Sequence, residues 1–208
     1  LPGISMIVAT YVLLTILRDF RDNFSNEIYT EIGYGNDASI FTITETWVSV
    51  IVLVLISLLI VVKNNMRAFI INHYIIIGGY ILALTATALF LYHAISPVLW
   101  MTAVGTGLYL SYVPFNALYY ERMIASYRLS ANVGFLMYVS DSFGYLGSVV
   151  LLLVKELVGI KLSWLNFFTY IVIIICCIGI VGTFIALLYF KQKYIAAQKS
   201  AQKQTTYA

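Results

Sequence analysis

The stretch LLTILRDFRDNFSNEIY, Leu13–Tyr29, places four charged residues within five positions, directly after seventeen residues without a charge. The four are Arg18, Asp19, Arg21 and Asp22. An apolar run of this length can enter a bilayer, because a helix crosses the hydrocarbon core in about 20 residues. Charged side chains inside such a helix are costly and are candidates for function by default. The stretch therefore predicts a membrane helix with a charged cluster inside it.

The composition of the whole chain is that of a membrane protein. Of its 208 residues, 62% are hydrophobic and 10% are charged, and the mean hydropathy is +0.92. Soluble domains average about 45–50% apolar residues. Six apolar runs are long enough to cross a bilayer, at about 5–32, 43–62, 70–92, 97–119, 131–154 and 166–190, and a basic tail, 191–208, follows them. We therefore predict an all-α membrane protein with six transmembrane helices and no soluble domain.

Loop charges predict the orientation. Lys and Arg in short loops stay in the cytoplasm, so the side that carries more of them is expected to be cytoplasmic. An even number of spans puts both ends on one side, which then carries eight basic residues: Lys63, Arg67, Arg122, Arg128, Lys191, Lys193, Lys199 and Lys203. The other side carries only Lys155 and Lys161. We expect a multi-pass protein of the inner (cytoplasmic) membrane with both ends of this segment in the cytoplasm.

A polar stripe runs along the first predicted helix. At 100° per residue its members lie within about 80° of one another; they are Tyr11, Thr15, Arg18, Asp22, Ser25 and Tyr29, with Arg21 at the edge. Arg18 and Asp22 are four apart and can pair on the helix itself. Asp19 and Arg21 point away from each other, so at least one needs a partner on another helix or an aqueous cavity. Two interpretations stay open: a cluster that locks helix packing, and a path for a polar substrate or ion.

A second candidate charge lies in the fifth predicted span. Asp141 falls in MYVSDSFGYLGSVV, on a helix face that also holds Gly134, Met137, Tyr138, Gly144, Tyr145 and Ser148. Gly144 and Ser148 are small residues four positions apart, a spacing that lets helices approach closely. Asp141 is either a counter-charge for Arg18 or Arg21, or a proton carrier or substrate ligand. The predicted substrate-binding residues are Tyr11, Arg18, Arg21, Asp22, Tyr138, Asp141 and Tyr145.

Two further features concern packing and the outer surface. Gly105, Gly107 and Pro114 predict that the fourth span approaches its neighbours closely and bends. Glu31 and Glu45, near the outer ends of the first two spans, are expected to be solvated or paired at the interface.

The sequence carries no signature of an enzyme. An HExxH pair, a GxSxG motif and a Gly-rich phosphate loop are all absent. His73 and His93 form no metal pattern, while Cys176 and Cys177 are adjacent and are expected to be small packing residues. We predict no catalytic, metal or cofactor site and no nucleic-acid partner.

Two stretches resemble a known family of transporters. YVLLTILRDFRDNFSNEIYTEIGYG resembles the seventh helix of the organophosphate:phosphate antiporters, where a leucine-arginine pair precedes an aspartate, then a tyrosine and a glutamate; here these are Leu17, Arg18, Asp22, Tyr29 and Glu31. FGYLGS, residues 143–148, resembles the glycine-rich sequence of their eleventh helix. The resemblance implies one six-helix half of a major facilitator superfamily fold. It also implies that Arg18 stands where an arginine grips the substrate phosphate.

Taken end to end, the chain resembles still more closely the C-terminal half of an uncharacterised bacterial family of superfamily-like membrane proteins, which carries the same LRDFRDNF, SPVLWM and FGYLGS stretches. Since it starts at Leu1 rather than Met, we expect a fragment whose N-terminal half is its partner in the bilayer. That family has no established activity, so this resemblance implies the fold and leaves the function open. The resemblance to the organophosphate:phosphate antiporters implies secondary transport of a small anionic metabolite, for example a phosphorylated one, by alternating access. Arg18 and Arg21 would bind the anion, and Asp22 and Asp141 would balance them in the empty site. The alternative is a membrane receptor, sensor or scaffold with a transporter-like fold and no net transport.

Overall fold

The computed structural model describes residues 2–35, 37–157 and 162–206, and in these residues the chain is all-helical. The described α-helices are α1 Pro2–Asn23, α2 Ser25–Glu31, α3 Ala38–Ser57, α4 Asn65–Leu91, α5 Pro97–Pro114, α6 Tyr120–Tyr127, α7 Val133–Leu157 and α8 Trp164–Thr206. A 3₁₀ turn, Leu58–Val61, follows α3, and a π-helical segment, Phe115–Tyr119, joins α5 to α6. The predicted all-α class is confirmed for this part of the chain. Lys161, counted among the outer charges, lies outside the described residues.

Five of these helices are long and apolar enough to cross a membrane: 2–23, 39–57, 65–91, 133–155 and 164–199. This length and composition are those of a multi-pass membrane protein. The helix of the fourth predicted span, α5, is not among the five. It ends at the π segment, and its Gly, Thr, Ser and Tyr residues lower its mean hydropathy; of these, Gly105, Thr106, Gly107 and Ser111 are buried.

α1 packs against three other long helices. It contacts α5, α7 and α8, while α4 packs against α5 and α8, and α3 packs against α5. The apolar side chains of Ile7, Leu14 and Leu17 on α1 are fully buried. α3 and α7 are the least enclosed spans, with 17% and 11% of their apolar windows buried. The packing thus encloses the helix that carries the charged stretch.

The fourth predicted span contains an interruption of its α-helical hydrogen bonding. α5 begins at Pro97, where a missing N–H is harmless, and the side chain of Ser96 caps it. Pro114 lacks the N–H that a regular helix needs, and the chain continues as the π segment. At Pro114, where the sequence predicts a bend, the helix therefore changes its hydrogen-bonding pattern. This segment carries Asn116, whose amide nitrogen lies 3.4 Å from the Tyr11 hydroxyl of α1.

At the C-terminal end of α1, the short helix α2 contacts the start of α8. Glu31 accepts the backbone N–H groups of Trp164 and Leu165, both at 2.9 Å, at the start of α8. These are donors that a helix leaves without an internal partner. The Trp164 ring stacks on Phe24, with centroids 4.3 Å apart, and the Lys155 ammonium lies 4.0 Å from the Trp164 ring centroid. Glu31 is thus paired, one of the two states predicted for it.

Glu31→Gln is expected to destabilise the protein modestly and to reduce the loss of folding stability at acidic pH. The first candidate span ends at Asn23, so Glu31 lies outside it. Partial burial opposes ionisation, but the N–H groups of Leu165 and Trp164 outweigh it and lower the pKa of Glu31 below its usual value. A carboxylate with a lowered folded-state pKa contributes stability above its unfolded pKa, about 4.3, and that stability disappears as the pH falls through the folded pKa.

The measurement is thermal unfolding in detergent between neutral and acidic pH. At neutral pH the loss in Glu31→Gln should be about 0.3–1 kcal/mol, the usual worth of a negative charge at a helix N-terminus. Glu121→Gln, at an exposed glutamate of α6, is the matched control. Equal acid sensitivity in the wild type and in Glu31→Gln would contradict the assigned role of Glu31.

Candidate functional site

Two arginines and four carboxylates meet where α1 faces α3, α5 and α7. The members of this charged cluster are Arg18, Asp19, Arg21 and Asp22 on α1, Glu45 on α3 and Asp141 on α7. The sequence predicted that a partner from another helix or a cavity is needed to compensate the charges of α1. The structure confirms this, because both partners from other helices and cavities are present.

Arg18 pairs with the next residue on its own helix. Its Nε lies 3.0 Å from Asp19 Oδ1, and its Nη2 donates to the same oxygen. The guanidinium carbon lies 3.9 Å from the ring centroid of Tyr112 on α5. The second oxygen of Asp19 accepts a hydrogen bond from Ser148 of α7 at 2.8 Å. The predicted pair of Arg18 with Asp22 is therefore wrong: the guanidinium stacks on the aromatic ring of α5, and in that position it meets Asp19.

Arg21 is shared by two carboxylates and is 1% exposed. Its Nη2 lies 2.5 Å from Glu45 Oε1 and 3.3 Å from the Met101 carbonyl oxygen, and its Nη1 lies 3.1 Å from Asp22 Oδ1. The other oxygen of Asp22 accepts a hydrogen bond from Tyr109 at 2.6 Å. A guanidinium presents its five donors in a fixed planar fork, which suits such a shared arrangement. Arg21 therefore ties α1 to α3 and α5.

Asp141 has a neutral hydrogen-bond donor. The Tyr11 hydroxyl donates to Asp141 Oδ1. Asn116 donates to the Tyr112 hydroxyl at 3.0 Å, and the rings of Tyr11 and Tyr112 stack with centroids 5.5 Å apart. Among the described residues no ion pair joins Asp141 to Arg18 or to another arginine. Both interpretations of Asp141, a counter-charge for Arg18 or Arg21 and a proton carrier or substrate ligand, therefore stay predictions.

The two predicted tyrosines of α7 are exposed. Tyr138 is 78% exposed and Tyr145 is 52% exposed. α7 meets α1 through Gly144, where a Cβ would lie 2.8 Å from Thr15 Cγ2. Because the close contact falls on the glycine face, the bulky tyrosines project elsewhere. Substrate binding by Tyr138 and Tyr145 stays a prediction.

Three carboxylates of the cluster border cavities. Asp19 lines a cavity of about 320 Å³ together with Ser148 and Tyr145. Asp22 lines one of about 600 Å³ near the end of α1. Glu45 and Tyr109 line a third, of about 280 Å³. Three of the four carboxylates of the cluster therefore border open space instead of lying wholly within packed protein.

Sequence reasoning missed four members of this network: Glu45, Tyr109, Tyr112 and Asn116. The last three follow one another at spacings of three and four residues, which places them on one face of a helix. This spacing alone would have identified the three residues as one polar face of the helix. For Glu45 no local signal existed, because its contact with Arg21 joins residues 24 positions apart on different helices.

His73 and the two cysteines belong to α4 and α8, which contribute no member of the charged cluster. His73 is buried in α4, with Nδ1 2.9 Å from the Phe69 carbonyl oxygen and Nε2 3.0 Å from the Tyr119 hydroxyl. Cys176 is buried in α8, while Cys177 is exposed. Within the described part of the chain, no three His, Cys, Asp or Glu residues are grouped so that they could hold a metal ion.

These features are consistent with a multi-pass helical membrane protein, and they include a charge cluster whose two arginines are buried. The chain belongs to the family of unknown function DUF5690, whose family model matches residues 1–193. No match was found among curated proteins or among solved structures. The resemblance to an uncharacterised family is confirmed by this match.

Proposed function

We propose that the chain is one six-helix half of a secondary transporter for a small anionic metabolite, with Arg18 as the anion ligand. Its partners would be the lipid bilayer and a second, N-terminal half of the same protein. In this proposal the fourth crossing consists of α5, the π segment and α6, and both ends of the segment lie in the cytoplasm, as the basic residues favour. The two halves would alternate around a site near the middle of the membrane.

The pattern of helix contacts supports the fold in this proposal. The helix contacts form a symmetric pattern in which α1, α3 and α4 correspond to α5, α7 and α8, in that order. The contact of α1 with α8 thus corresponds to the contact of α5 with α4. The contact of α1 with α7 corresponds to the contact of α5 with α3. The contacts of α1 with α5 and of α4 with α8 map onto themselves. Each half of a major facilitator superfamily transporter consists of two inverted three-helix repeats, which favours such a pattern.

The environment of Arg18 is the observation that carries the functional proposal. The guanidinium is held by one adjacent carboxylate, and that carboxylate borders a cavity. If Asp19 turns away or is protonated, the arginine needs another anion, because an unpaired buried charge costs about 3–5 kcal/mol. A phosphate or carboxylate of the substrate fits the guanidinium fork. The substrate would therefore take the place of Asp19 beside the guanidinium, and protonation of Asp19 would keep the net charge of the cluster nearly constant for a singly charged anion.

Arg21 has a different environment. It is fixed by two carboxylates and a backbone carbonyl, and it is 1% exposed. Its role as a second anion ligand stays a prediction, and the geometry favours a role in positioning α1, α3 and α5. Asp22 balances Arg21 in this arrangement, as proposed for the empty site, with Glu45 as the second partner.

Ligand-dependent thermal stability of the full-length protein tests the role of Arg18. At 100 times its dissociation constant, a bound ligand should stabilise the protein by about 2.7 kcal/mol. A panel of phosphorylated and carboxylated metabolites is measured with the wild type, Arg18→Ala and Arg67→Ala. Arg67 is an exposed arginine outside the cluster, so its removal changes the net charge equally.

We expect at least one anion to stabilise the wild type and Arg67→Ala but not Arg18→Ala. Asp19→Asn is the second variant, and it should bind the same anion more tightly because the competing carboxylate is gone. Stabilisation of a folded Arg18→Ala to the wild-type extent would contradict the proposal.

A further inference from the structure

The charged cluster holds more carboxylates than its arginines balance. It contains two guanidinium groups, of Arg18 and Arg21, and four carboxyl groups, of Asp19, Asp22, Glu45 and Asp141. With all of them ionised, two negative charges are left over. A ligand that carries only negative charge adds to this excess. A ligand that also brings a positive charge reduces it, since opposite charges attract strongly where water is excluded.

Asp141 is the carboxylate that offers a place for that positive charge. Within the described residues the one side chain that donates a hydrogen bond to it is neutral, and the polar groups next to that donor are neutral as well. From α1 it accepts the hydrogen bond of Tyr11; the π segment contributes Asn116, α5 contributes Tyr112, and α6 contributes Tyr120, which is bonded to the residue preceding Asp141. Arg18 stacks on the Tyr112 ring and is bonded to Asp19, and among the described residues no ion pair joins it to Asp141.

The rings around Asp141 suit an organic cation. Tyr11 packs between Tyr112, at 5.5 Å, and Phe115, at 5.1 Å between ring centroids. Aromatic faces attract ammonium groups, and a carboxylate beside them supplies the counter-charge. Such a combination of tyrosine rings, an amide and one carboxylate is what an alkylammonium group requires: apolar surface for its carbon chain and acceptors for its N–H groups.

We infer that Asp141 binds an ammonium group, so that the substrate is a zwitterion whose acidic group pairs with Arg18. The inference rests on the proposed function and narrows its substrate class. Tyr11 and Arg18 are seven residues apart on α1, about 10 Å along the helix axis. The two charged groups of the ligand therefore lie at the two ends of an extended chain rather than on one carbon atom.

The test compares matched pairs of compounds by ligand-dependent thermal stability of the full-length protein. The probes are ω-amino carboxylates and ω-amino phosphonates of increasing chain length, each paired with the analogue in which a methyl group replaces the ammonium group. The amine should raise the affinity at least about tenfold, the worth of a hydrogen bond to a charged group. The gain should increase with chain length until the charges are about 10 Å apart.

Asp141→Asn should abolish the gain from the amine while the amine-free acid still binds through Arg18. Asp37→Asn is the matched control: it makes the same chemical change at an exposed N-cap position, where asparagine caps equally well. Tyr11→Phe is a second variant, which frees Asp141 of its hydrogen bond and should preserve the gain from the amine. An equal gain from the amine in Asp141→Asn and the wild type would overturn the inference.

Different results would contradict the ammonium site and the proposed anion transport. If acids without an amine stabilise the protein through Arg18 and the amine adds nothing, the ammonium site is wrong and the anion transporter stands. If no compound of either kind gives stabilisation that depends on Arg18, both are wrong.

Discussion

Arg21→Ala should destabilise the protein by about 3–5 kcal/mol, the usual cost of removing one partner from a buried ion pair. The truncation leaves Asp22 and Glu45, which now share Arg21, facing each other without a cation. It also removes the hydrogen bond to the Met101 carbonyl oxygen of α5. The contacts between α1, α3 and α5 should therefore weaken together. Unfolding in detergent by heat or denaturant measures the loss.

Two further variants separate charge from geometry. Arg21→Lys keeps the charge but cannot reproduce the fork that reaches Asp22, Glu45 and Met101 together, so it should recover only part of the loss. Arg21→Met combined with Asp22→Asn and Glu45→Gln removes the charges together and should be clearly more stable than Arg21→Ala. A loss below about 1 kcal/mol in Arg21→Ala would contradict the buried network, because exposed pairs contribute that little.

Gly79→Ala is the second substitution with a large expected effect, a loss of about 1–3 kcal/mol or more from overpacking. A Cβ at Gly79 would lie 2.2 Å from Ser111 Oγ and 2.3 Å from the Gly107 carbonyl oxygen. A Cβ at Gly107 would in turn lie 2.4 Å from the Gly79 carbonyl oxygen. The backbones of α4 and α5 therefore touch at this point, and a backbone cannot move aside as a side chain can. Small residues at membrane helix crossings permit such an approach.

Gly78→Ala is the matched control for this prediction. A Cβ at Gly78 would meet nothing within 4 Å. Alanine is the better helix former by about 0.8–1 kcal/mol, so Gly78→Ala should be neutral or stabilising. Thermal unfolding of the two neighbouring variants under the same conditions makes the comparison. Equal stability of Gly78→Ala and Gly79→Ala would rule out the close crossing.

The all-helical class and the close approach of the fourth span were predictable from the sequence. A long apolar run in a membrane usually forms a helix, because a helix satisfies the hydrogen bonds of its own backbone N–H and C=O groups. Gly105 and Gly107 indicated close approach, and a Cβ at Gly105 would lie 2.5 Å from the Arg21 guanidinium. The need of the α1 charges for outside partners was also predictable, because compensation within one helix is insufficient there.

The partners of those charges were not predictable. Whether Arg18 meets Asp19 or Asp22 depends on the position of the Tyr112 ring, which belongs to another helix. The pairing of Arg21 with Glu45 depends on how α1 and α3 both pack around α5. Sequence periodicity defines the faces of a helix, but the rotation of each helix against its neighbours is set by side-chain packing over the whole bundle.

The most direct test of the central claim is flux through the full-length protein. Sealed proteoliposomes are loaded with the unlabelled compound that stabilises the protein through Arg18 and are exposed to the same compound in radiolabelled form, so that exchange is detected whatever the coupling. Wild type, Arg18→Ala and Arg67→Ala are compared. The account predicts saturable uptake by the wild type and Arg67→Ala and none by Arg18→Ala. Binding of the compound without uptake by the wild type would contradict transport and would favour a membrane receptor with a transporter-like fold.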